Sequence, residues 1–136
     1  MVNVRPLNSR RYGISKHRFY ELYHYCLQYN EWKDELRYAT DTMKGVQISD
    51  MPQGSGTTGD PSANLAIRRA ALSDKCKVIE DTAREADPAL WEYIIKGVTT
   101  EDASYTYLRQ IMNIPCGKNY YHDKRRKFFY LLSKKI

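Results

Sequence analysis

The chain lacks most of what established function classes require. Its 136 residues include three cysteines, Cys26, Cys76 and Cys116, without a CxxC pair. Such an odd, widely spaced set argues for reduced thiols in a cytosol and against a disulfide framework. No apolar run approaches the roughly 18 residues that span a bilayer. No hydrophobic run with a cleavage-type flank follows the N-terminus, so neither membrane insertion nor secretion is expected. Gly54, Gly56 and Gly59 are not followed by Lys-Ser/Thr, which removes the phosphate-loop reading, and there is no H-E-x-x-H and no Ser-centred elbow. His17, His24, Cys26 and His122 lack standard zinc-ligand spacing. Asp123 stands alone among cations, so no acid pair for nuclease chemistry is visible. An enzyme, a cofactor and a metal are therefore not expected.

What the chain does have is segregated charge. Lys118 to Ile136 read KNYYHDKRRKFFYLLSKKI, with seven Lys/Arg against Asp123, and this stretch alone matches the +6 net charge of the whole chain. The first nineteen residues add Arg5, Arg10, Arg11, Lys16 and Arg18 and no acid, leaving the span from Tyr20 to Gly117 at −5. A compact basic segment on a mildly acidic body is suited to a polyanion. The twelve tyrosines supply apolar area with a hydroxyl that can reach a phosphate or a buried partner.

No segment alternates with period two over any length, and apolar spacing is helical throughout, so an all-α fold is predicted. Residues 1–13 read as a flexible basic arm. Ser15 is a helix N-cap candidate, and a single long helix is predicted over 14–43, with Phe19, Leu22, Cys26, Tyr29 and Leu36 on one face and Gly45 as a stop. Residues 44–60 read as a Gly/Ser/Thr linker. Residues 61–136 form a helical domain, opened by the cap-plus-proline pair Asp60-Pro61 and reopened by Asp87-Pro88. Leu65, Leu72, Cys76 and Ile79 make the apolar stripe of its first helix, through to about Ala86. Three short helices close the chain: Pro88 to Lys96 ending at Gly97, Thr100 to Met112 capped by Thr99, and Gly117 to Lys135.

The last two are separated by a break at Asn113-Ile114-Pro115. This layout predicts a helix-turn-helix within about 88–136, whose second helix enters a major groove. Asn pairs bidentately with adenine, and Lys or Arg with guanine. Lys118, Asn119, Tyr121, His122, Arg125, Arg126 and Lys127 are the candidate DNA-binding residues, and Lys124, Lys134 and Lys135 are candidates for phosphates. Phe128, Leu131 and Leu132 are expected to anchor the helix against Leu108, Ile111, Trp91 and Ile95. One of Tyr120 and Tyr121 belongs to the core rather than to a contact.

The stretch from Trp91 to Leu132 resembles region 4 of bacterial sigma factors and related phage regulators. The resemblance is carried by Ile114-Pro115-Cys116-Gly117-Lys118-Asn119-Tyr120-Tyr121, Arg125-Arg126-Lys127-Phe128-Phe129 and Leu131-Leu132. The whole layout is also similar to the Rin-type activators of phage late genes, on the Tyr12-Gly13-Ile14 opening and the Gly54–Asp60 linker. The resemblance implies a phage or prophage-encoded, sequence-specific DNA-binding regulator of transcription, acting on promoter double-stranded DNA in the bacterial cytoplasm. RNA polymerase, and a second copy of the chain paired through the N-terminal helices, are the further candidate partners. Two other classes compete with it: a DNA-packaging protein like a small terminase subunit, and a protein-binding inhibitor or adaptor.

Overall fold

A computed structural model describes residues 12–45 and 61–136, and the described residues are helical without strands. The predicted arm and the Gly/Ser/Thr linker fall almost wholly on residues 1–11 and 46–60, outside the described residues. Six helices follow in order: α1 Lys16–Leu27, α2 Tyr29–Gly45, α3 Pro61–Ala86, α4 Trp91–Thr99, α5 Tyr105–Gln110 and α6 Lys118–Ser133.

The local signals explain most of these boundaries. The Ser15 side chain accepts a hydrogen bond from the Arg18 N–H and starts α1. α3 begins at Pro61 and runs to Ala86, burying Leu72, Cys76, Ile79 and Ala83 on one stripe. Asp87 then turns the chain: its Oδ1 accepts from the Ala89 N–H at 2.8 Å and the Leu90 N–H at 3.1 Å. That carboxylate is itself buried, so the turn is fixed from inside.

Four expectations need correction. The long N-terminal helix is two helices meeting at Gln28. There the Gln28 N–H bonds the Tyr25 carbonyl three residues back at 3.2 Å, and the Trp32 N–H restarts the four-residue pattern on the Gln28 carbonyl at 3.0 Å. The offset seats the Tyr25 and Trp32 rings edge to face, centroids 5.0 Å apart. Gly97 is not a stop. It is buried inside α4, which continues to Thr99. Thr99 ends that helix instead of capping the next, and Ser104 caps α5 by accepting from the Tyr107 N–H at 3.3 Å. Ile111 does not face inward, being 63% exposed, because α5 ends at Gln110 and the chain turns at Asn113, whose φ is +56°. Asn tolerates that left-handed conformation better than most residues, and it lets Ile114, fully buried, return its N–H to the Leu108 carbonyl at 3.1 Å.

α2 and α3 form an antiparallel hairpin. Tyr29 and Lys33 on α2 both bond the Glu80 carboxylate, and further along the hairpin Glu35 bonds Arg68. The main core lies beside it, where α1, the second half of α3, and α4 close around α6. Phe19 of α1 meets Phe129 of α6 edge to face at 5.0 Å. Arg18 ties the same two helices at their rim, donating to the Ser133 carbonyl at 3.0 Å and the Ile136 carbonyl at 2.6 Å. The Ser133 carbonyl is one that the end of α6 leaves without an intrahelical donor. No helix among the described residues is long and apolar enough to cross a membrane.

Candidate nucleic-acid interface

α6 is the element that carries the basic cluster, and its sequence divides it lengthwise. Phe128, Phe129 and Leu132 are fully buried and Tyr121 nearly so. At about 100° per residue these positions share one face. They dock on α3, α1 and α4, which is broader support than the Leu108, Ile111, Trp91 and Ile95 surface expected, and Ile111 is exposed. The opposite face carries Asn119, Asp123, Arg126, Lys127, Tyr130 and Lys134, spanning about 22 Å of helix axis. Asn119, Arg126 and Lys134 are exposed, and the remaining three are half-buried.

The start of α6 is set by Gly117 in an extended conformation, φ −82° and ψ 170°, with no side-chain cap on the first N–H groups. Tyr120 anchors this end by donating to Asp87 Oδ2 at 2.9 Å, the same carboxylate whose other oxygen turns the chain after α3. That hydrogen bond is the main reason its phenol is raised above the ordinary value.

The candidate residues therefore separate. Lys118, Asn119 and Arg126 stand in solvent, and Lys127 is partly exposed. Tyr121 is 2% exposed and is a core residue, so its expected DNA contact is corrected; Tyr120 is the exposed member of the pair, at 50%. The Tyr121 ring lies 6.0 Å from that of Tyr105, and the Tyr121 hydroxyl fills the space above Gly97, where an added Cβ would fall 1.9 Å from the oxygen. Burial raises the Tyr121 phenol, while the charge and hydrogen bond of Arg125 oppose the rise. Arg125 thus sits on the inner edge. Its guanidinium lies 5.0 Å from the Phe129 ring centroid and its charge reaches the buried Cys26 and Tyr23 on α1. Arg125, a candidate for base contact, is half-buried along this edge. His122 is half-buried, its ring edge-on to Tyr121 at 5.2 Å.

The outward cations are not matched by acids among the described residues. Of the seven Lys/Arg in this segment, Lys135 alone is ion-paired among the described residues, to Glu85. Lys124 lies 5.2 Å from the Tyr120 ring centroid and Lys134 lies 4.7 Å from that of Tyr130, where cation–π attraction holds the stems while leaving the charge uncompensated. The connection into α6 spans residues 111–117, longer than the three or four residues expected, and α5 is a short helix of six residues. Tyr105 bridges this connection by donating to the Cys116 carbonyl at 2.6 Å.

Elsewhere the chemistry is sparse. All three cysteines are free, Cys26 and Cys76 buried and Cys116 half-buried, and burial raises each thiol above its ordinary value. No group of three or more His, Cys, Asp or Glu side chains is gathered to hold a metal among the described residues. An open groove of about 560 Å³ lies on the α2–α3 hairpin, between Leu36 and Arg37 on one side and Ala66, Arg69, Ala70 and Ser73 on the other, none of them on α6.

No family model, no curated protein and no solved structure matches this chain.

Proposed function

We propose that this chain is a double-stranded-DNA-binding protein, and within that class a sequence-specific transcription regulator of the phage type, with α6 as its reading helix. One observation carries the reading: a helix clamped by four buried side chains turns a row of cations outward that no acid of the described fold neutralises. Leaving cations unpaired in this way is unfavourable for the free protein's self-repulsion and favourable for a polyanionic partner. Asn119 supplies the amide suited to adenine, and Arg126 the fork suited to guanine or a phosphate. Lys118, Lys127 and Lys134 suit phosphates, whose neutralisation makes affinity fall steeply with salt.

The test is a salt titration of promoter-fragment binding by gel shift, comparing wild type with Asn119→Ala and with Arg126→Ala/Lys127→Ala. Asn119→Ala is expected to relax sequence preference by about 1–3 kcal/mol at one base pair. The paired cation variant is expected to weaken all sequences alike. Wild-type binding by both variants would remove α6 as the contact.

A further inference from the structure

The first turn of α6 is weakly specified by its own sequence. Gly117 stands at the N-cap without a side-chain bond, and the turn that follows holds Lys118 and no acid. A cation at that end opposes the helix dipole, and uncapped N–H groups favour fraying. The buried anchors of the helix begin only at Tyr121. Lys118 and Asn119, two of the candidate contacts, therefore precede the buried residues of α6. The structure holds this end from two other elements. Tyr105 of α5 donates to the Cys116 carbonyl at 2.6 Å, just ahead of the turn. Tyr120, inside it, donates to Asp87 Oδ2 at 2.9 Å. Asp87 is 7% exposed, and its other oxygen accepts from the Ala89 and Leu90 N–H groups in the connection from α3 to α4. One buried carboxylate thus ties the start of α6 to that connection. The Tyr120 ring also lies against the Lys124 ammonium, one turn further along, at 5.2 Å.

Resting on the reading of α6 as a DNA-binding helix, we propose that Asp87 and Tyr120 are positioning residues for sequence discrimination. They hold the turn that bears Asn119 in the pose its amide needs, while Asp87 itself is too buried to meet a duplex. A bidentate base contact tolerates little angular error, because hydrogen bonds weaken steeply away from linearity. Phosphate contacts by Lys tolerate far more, since a flexible stem carries a compact charge. Loss of this latch is therefore read in the ratio between sequences and not in salt-dependent attachment. That separates Asp87 and Tyr120 from the outward cations, whose removal weakens all sequences alike. Reading groups depend in this way on hydrogen-bonded support behind them.

The experiment uses the full chain and a duplex selected from a randomised library by wild type, compared with single base-pair changes of the same duplex. Tyr120→Phe keeps the ring beside Lys124 and deletes the bond to Asp87. It is expected to lower the affinity ratio of selected to changed duplex by about two- to ten-fold, the range one net hydrogen bond supports. The slope of log K against log salt is expected to stay at the wild-type value, because no cation is removed. Hydrogen exchange is expected to quicken at the Tyr121 amide, which closes the first turn on the Gly117 carbonyl at 3.1 Å, and not at Phe128 to Leu132. Asp87→Asn in the Tyr120→Phe background is expected to lower the ratio no further. A wild-type ratio in Tyr120→Phe overturns the proposal, as does an equal loss on every sequence, which would make the phenol a phosphate contact. Exchange that quickens uniformly along α6 overturns it too, and so does full additivity with Asp87→Asn. Arg126→Ala/Lys127→Ala separates the two readings. If that variant binds normally, the α6 assignment falls and the latch with it. If it binds weakly while Tyr120→Phe keeps the wild-type ratio, only the latch is removed.

Discussion

The α2–α3 hairpin and α6 are both rich in cations and use them in opposite ways. On the hairpin, Lys33 meets Glu80 at 3.0 Å, Arg37 meets Asp34 at 3.3 Å, Arg84 meets Asp81 at 3.3 Å, and Arg68 meets Glu35. Lys75 lies 5.2 Å from the Trp32 ring centroid. On α6 the single acid, Asp123, shares the outward face with Arg126, Lys127 and Lys134, and Lys135 alone finds a carboxylate among the described residues. In the first arrangement every paired cation is compensated inside the hairpin, and Lys33–Glu80 and Arg68–Glu35 join its two helices. The second leaves charge unpaired among the described residues. Net charge alone does not separate these cases; the pairing does.

The comparison breaks most visibly at the outward row. Arg126→Ala/Lys127→Ala is expected to lower duplex affinity by tens-fold near 0.1 M salt, from the loss of about two phosphate contacts, while chemical denaturation stays within about 0.5 kcal/mol of wild type. An equal loss from Arg68→Ala/Lys75→Ala would show that position on the fold does not matter. Next in size is Gly97→Ala, which sets a Cβ 1.9 Å from the Tyr121 hydroxyl. It is expected to destabilise by about 1–3 kcal/mol through overpacking, despite a helix-propensity gain of about 1 kcal/mol. Tyr121→Phe removes the offending oxygen and leaves the ring carbon 3.2 Å away, so urea melts of the double variant should recover part of the loss. No recovery would mean that α4 and α6 do not meet as described.

On the hairpin, Arg68→Ala is expected to lower stability only slightly in urea melts, because the pair is largely exposed, and to leave duplex binding untouched. The smallest effect is in pH. Burial pushes the Glu80 carboxyl up, but hydrogen bonds from Tyr29 and Lys33, with the charges of Lys33 and Arg84, outweigh it and hold it below the ordinary glutamate value. A lowered folded value stabilises above the unfolded value of about 4.3 and is lost as pH falls through the folded one. Melting temperature should therefore drop more steeply on acidification below that point in wild type than in Glu80→Gln. Parallel curves would remove the carboxylate from the hairpin's account.

Much of the fold was legible because its signals are local. Ser15, Asp87 and the Leu72–Cys76–Ile79 spacing each specify an element with nothing but neighbours in sequence. The failures were tertiary. Gly97 reads as a helix terminator, yet it is small because a phenol from α6 needs the room, and no spacing rule records that. Thr99 and Ser104 are both competent caps, and the choice depended on the chain bending through residues 100–104 so that Ala103 is buried. For the candidate site, the amphipathic division of α6 was readable, since Phe128 and Leu132 fix the inner face. Its edges were not: Arg125 lies about one turn and Tyr121 about two turns before Phe128 on the same side, and a strict projection of the helix would have placed both inward.

The bonds from Arg18 to the Ser133 and Ile136 carbonyls join positions 115 and 118 apart in the chain. On a ribosome adding about 5–20 residues per second, Phe19 would wait on the order of 10 s for Phe129. During that interval the first helix would offer its apolar side to chaperones, proteases or other nascent chains. A premature stop near codon 118 should therefore do more than remove the cationic row: it should leave α1 permanently without its lid.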